Sequence, residues 1–148
     1  MKRFRFRLES VLTIRTWEEE RAHTAYGQAL KQELRLTEEL RGVETRIDAS
    51  VAEWRAQSAR PGHPSDLTLR WRHLLTLERE RTDVAGKLVT ARRIRDQKMK
   101  TLVDAHRRVK VLETLRERQN QAHVVDQRRR EERELDDIVN ARRFQPDL

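Results

Sequence analysis

The sequence has no cysteine, only three prolines and four glycines, and 5% aromatic residues in 148. Without cysteine there is no disulfide framework, no thiol nucleophile and no thiolate metal site. Proline ends a helix by removing a donor and clashing with the preceding turn, and residues 1–60 and 65–145 contain none. No stretch approaches ~18 consecutive apolar residues, so no membrane-spanning helix is expected. No apolar run of signal-peptide length follows the basic N-terminus either, and a soluble cytoplasmic protein is the expectation. Charge is what the chain has in quantity: 39% of residues are charged against 36% hydrophobic, with a mean hydropathy of −0.96. Disorder usually brings Pro, Gly and Ser, whereas good helix formers (Arg, Glu, Leu, Ala, Gln) dominate here. The composition points to long helices with a narrow apolar seam.

Two of the three prolines sit together in QSARPGHPSD, residues 57–66. Before this stretch, Ala22, Tyr26, Ala29, Glu33, Leu36, Leu40, Val43, Ile47, Ser50 and Trp54 recur at alternating steps of three and four. After it, Trp71, Leu74, Leu77, Arg81, Val84, Leu88, Ala91, Arg95, Lys98, Leu102, Ala105, Val109 and Leu112 repeat the pattern. Both are coiled-coil seams. Folding the chain at Gly62 sets Ile47 opposite Leu77, Leu40 opposite Val84, Leu36 opposite Leu88, Ala22 opposite Leu102 and Leu12 opposite Leu112. Each pair is equidistant in sequence from that glycine, as an antiparallel hairpin requires.

The predicted fold is therefore all-α and a single domain, 1–148: helix 1 over about 8–57, an apex loop over about 58–65, and a longer helix 2 over about 66–143. Ser65 or Asp66 is expected to cap helix 2. The predicted hairpin core is Leu36, Leu40, Val43 and Ile47 against Leu77, Val84, Leu88 and Leu102. Residues 8–57 carry seven basic and ten acidic side chains (net −3), and residues 68–113 carry thirteen and six (net +7), which favours pairing the unlike helices. Glu33, Arg95 and Lys98 interrupt the seam, so a looser middle is expected, with Glu33 replaceable by Leu at no loss. Opposite residue 116 or so helix 1 runs out, which leaves some 20–30 residues of helix 2 without a partner.

Catalytic chemistry finds no foothold. The five histidines (His23, His63, His73, His106, His123) include no i,i+3 or i,i+4 pair for a metal, and neither phosphate-cradling glycine motif is present. A two-helix hairpin is expected to lack a concave pocket in which carboxylate pKa values would shift. No enzyme activity, cofactor or metal is expected. Arg92, Arg93, Arg95, Lys98, Lys100, Arg107, Arg108 and Lys110 form a basic cluster in a chain of net charge +8. It would suit nucleic acid or an acidic protein surface, unless Glu18, Glu19 and Glu20 across the hairpin absorb it. No aromatics are interleaved for base stacking, so nucleic acid is the weaker reading. Phe4, Phe6 and Leu8 alternate with Lys2, Arg3, Arg5 and Arg7, which would serve either attachment to an anionic membrane surface or packing on the helix 2 extension.

Phe4, Phe6, Leu8, Val11 and Leu12 spell F-x-F-x-L-x-x-V-L, followed by Arg15 to Glu19 with Trp17. Further on come L-x-E-R-Q (Leu115, Glu117, Arg118, Gln119) and ERELDDI (Glu132 to Ile138). Together with length and apex position, these motifs resemble the flagellar FliJ family across the whole chain. The pairing of the two seams within one chain predicts a monomer when isolated; the resemblance implies a non-enzymatic stalk protein of the flagellar type III export apparatus, working at the cytoplasmic face of the inner membrane. It implies contact with the hexameric export ATPase ring through Leu115, Arg118, Ala122, Val125, Leu135, Ile138 and Val139. It also implies contact with the cytoplasmic domain of the membrane export-gate protein through Trp71, His73, Leu74 and Leu77, and with export chaperones. The stalk protein of a virulence injectisome shares this architecture, and a basic coiled coil binding nucleic acid is the other alternative.

Overall fold

A computed structural model describes residues 3–59, 62 and 64–144; Lys2, Pro61, His63 and Pro146 lie outside it. Among the described residues the chain forms two helices and no strand: α1, Glu9–Ser58, and α2, Pro64–Arg143. The ends obey helix electrostatics, with Glu9 and Asp66 in the first turns and Arg55, Arg142 and Arg143 in the last, each charge opposing the local pole of the macrodipole. α2 begins two residues earlier than its sequence suggests. Pro64 is its first residue, where the missing N–H costs no hydrogen bond and the fixed φ is already helical. Ser65 and Asp66 consequently sit inside the first turn rather than capping it.

Packing divides into two units, residues 21–103 and residues 1–20 with 104–148. In the first, Ala22, Ala29, Leu36, Val43 and Ile47 of α1 are buried, as are Leu74, Leu77, Val84, Leu88 and Ala91 of α2. Leu36, Leu88 and Ala91 form one cluster with Leu40 against it, and Val43, Ile47 and Leu77 form another with Val51. Both clusters join residues equidistant from Gly62, so the helices run antiparallel with the register read from their seams. Val43 is 0% exposed and Val84 2%; Leu40 and Leu102 are half-buried. Towards the apex, Trp71 meets Trp54 edge to face, ring centroids 5.5 Å apart at 80°.

Glu33 is not a tolerated blemish in this seam. Its side chain is 14% exposed, and Arg95 Nη1 donates to both carboxylate oxygens at 2.6 and 2.8 Å. Arg92 Nε approaches the same carboxylate at 3.5 Å. Arg95 is also bound to Asp96, and hydrogen bonds to Asp96 and Glu33 raise its pKa. The expected loose stretch is thus bridged by charge. Arg46 and Glu80 add a second cross-hairpin pair at 2.8 Å.

In the second unit Leu12 of α1 meets Val109 of α2, and Phe6 closes the cluster from the non-helical N-terminal segment; Phe4, Leu112 and Leu115 pack against it. Ala105 is buried here too. Glu19 reaches His106 Nδ1 at 2.8 Å and Glu9 reaches Arg116 at 3.4 Å.

Two outcomes test this packing. Leu36→Ala should cost about 2–5 kcal/mol, the usual range for a truncated core leucine, read by urea unfolding followed by circular dichroism; a loss below ~1 kcal/mol would place Leu36 outside the seam. Glu33→Leu should lower the thermal midpoint by stranding Arg95, and adding Arg95→Leu should restore part of it. An unchanged midpoint in the single variant would mean that the pair contributes nothing.

Candidate docking surfaces

The alternating aromatics of the N-terminus are already occupied. Phe6 is 7% exposed and Phe4, half-buried, lies 5.8 Å from the His123 ring, centroid to centroid. Of the two uses open to this segment, packing on α2 is the one found. Arg3, Arg5 and Arg7 stay exposed, but an anionic membrane surface would not find the rings. The segment lies outside α1 and reaches along α2 as far as His123. Unpartnered α2 therefore begins near residue 124 rather than 116. Leu115 belongs to the N-terminal cluster.

Beyond His123 every described residue of α2 except Gln127 is exposed. Val124, Val125, Leu135, Ile138 and Val139 are 39%, 46%, 62%, 52% and 51% exposed. At 100° per residue these five fall on one broad face. Ala122, also exposed, lies one turn before Val125 at the edge of this face; Val124, absent from the sequence-based set, joins it. Arg118 is exposed on the stretch between. Arg130 is engaged by Asp126 at 2.7 Å.

Near the apex the sequence pointed to Trp71, His73, Leu74 and Leu77 as one contact surface. Trp71 is 51% exposed and His73 is exposed. Leu74 and Leu77 are 9% and 3% exposed, spent on the seam and withdrawn from any partner. Leu67, Leu69 and Leu75, at 43%, 65% and 41%, are also left outside, and none of them is in the seam series that the sequence displays.

The basic cluster resolves into two sets. Arg92 and Arg95 turn to Glu33, and His106 to Glu19. Arg93, Lys98, Lys100, Arg107 and Arg108 are exposed, and Lys110 pairs with Glu113 of its own helix at 3.5 Å. Glu18 is bound within its own helix to Arg15.

The surface is not featureless, and open concavities lie along the helices. A groove of about 680 Å³ runs along a flank of the residue 21–103 unit, with Ala29, Leu36, Gly86, Ala91 and Ile94 in its walls. Asp83 is its one carboxylate, and Lys87 binds it at 3.3 Å. Among the described residues no group of three or more His, Cys, Asp or Glu could hold a metal, and no helix is long and apolar enough to cross a membrane.

The family model described as Flagellar FliJ protein matches residues 4–146. The chain belongs to the flagellar FliJ family. No curated protein and no solved structure matches it. Membership makes it a member of a non-catalytic family tied to flagellar export. The matched range takes in Phe4, Phe6 and the exposed α2 face alike.

The N-terminal packing can be tested by itself. Phe6→Ala should detach the segment and speed tryptic cleavage at Arg5 and Arg7, with α1 and α2 otherwise retained by circular dichroism. Cleavage at the wild-type rate would mean that the ring does not hold the segment.

Proposed function

We propose that this FliJ-family chain is a non-enzymatic stalk protein coupling the flagellar export ATPase to the export gate. The single observation that carries this is the exposed apolar face of α2 beyond the N-terminal segment. A solvated helix of that length has little reason to persist without tertiary contacts, and apolar side chains aligned on one exposed face mark a docking surface. The hexameric export ATPase ring is the partner assigned to Val125, Leu135, Ile138 and Val139, with Val124 added and with Leu115 and Arg118 at the N-terminal cluster. Eight basic and seven acidic residues nearly cancel over 116–143, so apolar fit rather than net charge would drive this contact.

The second contact, with the cytoplasmic domain of the export-gate protein, is assigned to exposed Trp71 and His73 together with Leu75. Trp71 is well suited, because its edge contact with Trp54 fixes one side of the ring while half its surface stays available. Export chaperones complete the set of partners. The working place is the cytoplasmic face of the inner membrane at the flagellar base, and the chain is a monomer when isolated.

Deleting residues 124–148, or making Leu135→Asp with Ile138→Asp, should abolish stimulation of purified export ATPase while leaving the hairpin's helicity and its Trp54–Trp71 environment intact. Trp71→Ala should leave stimulation unchanged and weaken capture of the gate's cytoplasmic domain. Full stimulation by the truncated chain would overturn the assignment of this end to the ring.

A further inference from the structure

The flank that holds the groove is built differently from the rest of the hairpin. Gln32, Glu39 and Arg46 follow one another at seven-residue spacing on α1, as Glu80, Lys87 and Ile94 do on α2; such rows border the seam and usually hold ion pairs across it. Nearer the apex this flank is closed, by Arg46 and Glu80 at 2.8 Å. Further along, Gln32 and Ile94 occupy the equivalent places and no ion pair closes it; Lys87 is held by Asp83 of its own helix instead.

What lines the opening is small or aliphatic. Ala29 and Ala91 lie at its base with Leu36, and Ile94 is 43% exposed on its wall. Gly86 has nothing within 4 Å of where a Cβ would stand. Thr82 and Thr90 spend their hydroxyl protons on the Glu78 and Gly86 carbonyls, at 3.0 and 3.3 Å. The lining from Thr82 to Ile94 is about 18 Å long, some three helical turns.

The rim is basic. Arg93 lies one turn from Thr90, Arg35 one turn from Gln32, and Lys31 beside it. All three are exposed, and no ion pair engages them among the described residues. Of the nearby acids, Glu33 is bound to Arg95 and Asp83 to Lys87; Glu39 alone remains, at the apex-side end.

We infer that this groove receives a third helix from another protein, an amphipathic segment of three to four turns with an apolar stripe and acidic flanks. The apolar stripe would complete the seam that two helices leave open on this side, and the acidic flanks would meet Arg35, Arg93 and Lys31. The surface is separate from the α2 extension and from Trp71, so this inference does not rest on the ring and gate assignments.

The test uses the full chain and two synthetic helical peptides of about four turns, both with leucine at i, i+3 and i+7, one flanked by Glu and the other by Lys. Fluorescence anisotropy should show one-to-one binding of the Glu peptide, at least about tenfold tighter than the Lys peptide at low salt. Gly86→Gln should weaken binding by a similar factor while keeping or raising the thermal midpoint, because a helical glycine with open space gains from a side chain. Arg35→Glu with Arg93→Glu should invert the peptide preference. Equal affinity for the two peptides, or undiminished binding by the Gly86 variant, would overturn the proposal. Two further results would also sink it. One is concentration-dependent mass in sedimentation that Gly86→Gln removes, which would make a second copy of the chain the occupant. The other is binding to anionic phosphatidylserine vesicles that Arg35→Glu with Arg93→Glu abolishes, with no peptide bound.

Discussion

The register between α1 and α2 is the constraint on which the other features depend. Within the residue 21–103 unit the two helices share one seam, so each buried side chain there must find its partner along it. Sliding α1 by one heptad would set Glu33 against Val84, place a carboxylate in the most tightly buried layer and leave Arg95 without its bidentate acceptor. Burying an unpaired charge is far more costly than any gain available elsewhere in so thin a structure. Glu33 therefore favours one register: its carboxylate is matched only where Arg95 and Arg92 reach it, and a shifted pairing would strand both charges. Polar residues in coiled-coil seams commonly have this use.

Most of the hairpin was legible in the sequence because the seam repeat and the proline pair carry independent information. Leu36 with Leu88 and Ile47 with Leu77 follow from spacing alone, and the burial of both pairs requires no further signal. Spacing fails where a side chain's role depends on what it meets across the hairpin. Glu33 reads as a defect until Arg95 stands beside it, since a seam position records hydropathy and not reach. Leu74 and Leu77 illustrate the converse: they sit in a dense apolar run, HLLTL, and only the register decides that they face inward while Leu75 faces out.

The groove was invisible for a similar reason. Its existence rests on what the flanking rows lack, an ion pair across Gln32 and Ile94, and on Gly86 contributing no side chain. No motif announces an omission, and a composition rich in charge suggests that every flank is closed. Only the start of α2 falls two residues before its expected place, because proline was read as a stop. At the first position of a helix it is a start.

The N-terminal segment shows how the chain divides its apolar residues between internal and external use. Phe4 and Phe6, outside α1, both turn towards α2, where Leu112, Leu115 and His123 meet them. Beyond this point α2 keeps aliphatic residues but changes their phase, so Val124, Leu135 and Ile138 share a face that stays exposed among the described residues. Had these positions been polar, the helix would still extend, supported by pairs such as Arg130 with Asp126 at a few tenths of a kcal/mol each. Aliphatic residues there add nothing to that support and expose surface that water disfavours. Their presence is an argument for a partner, and their change of phase, where the N-terminal segment ends, argues that the partner is not this hairpin.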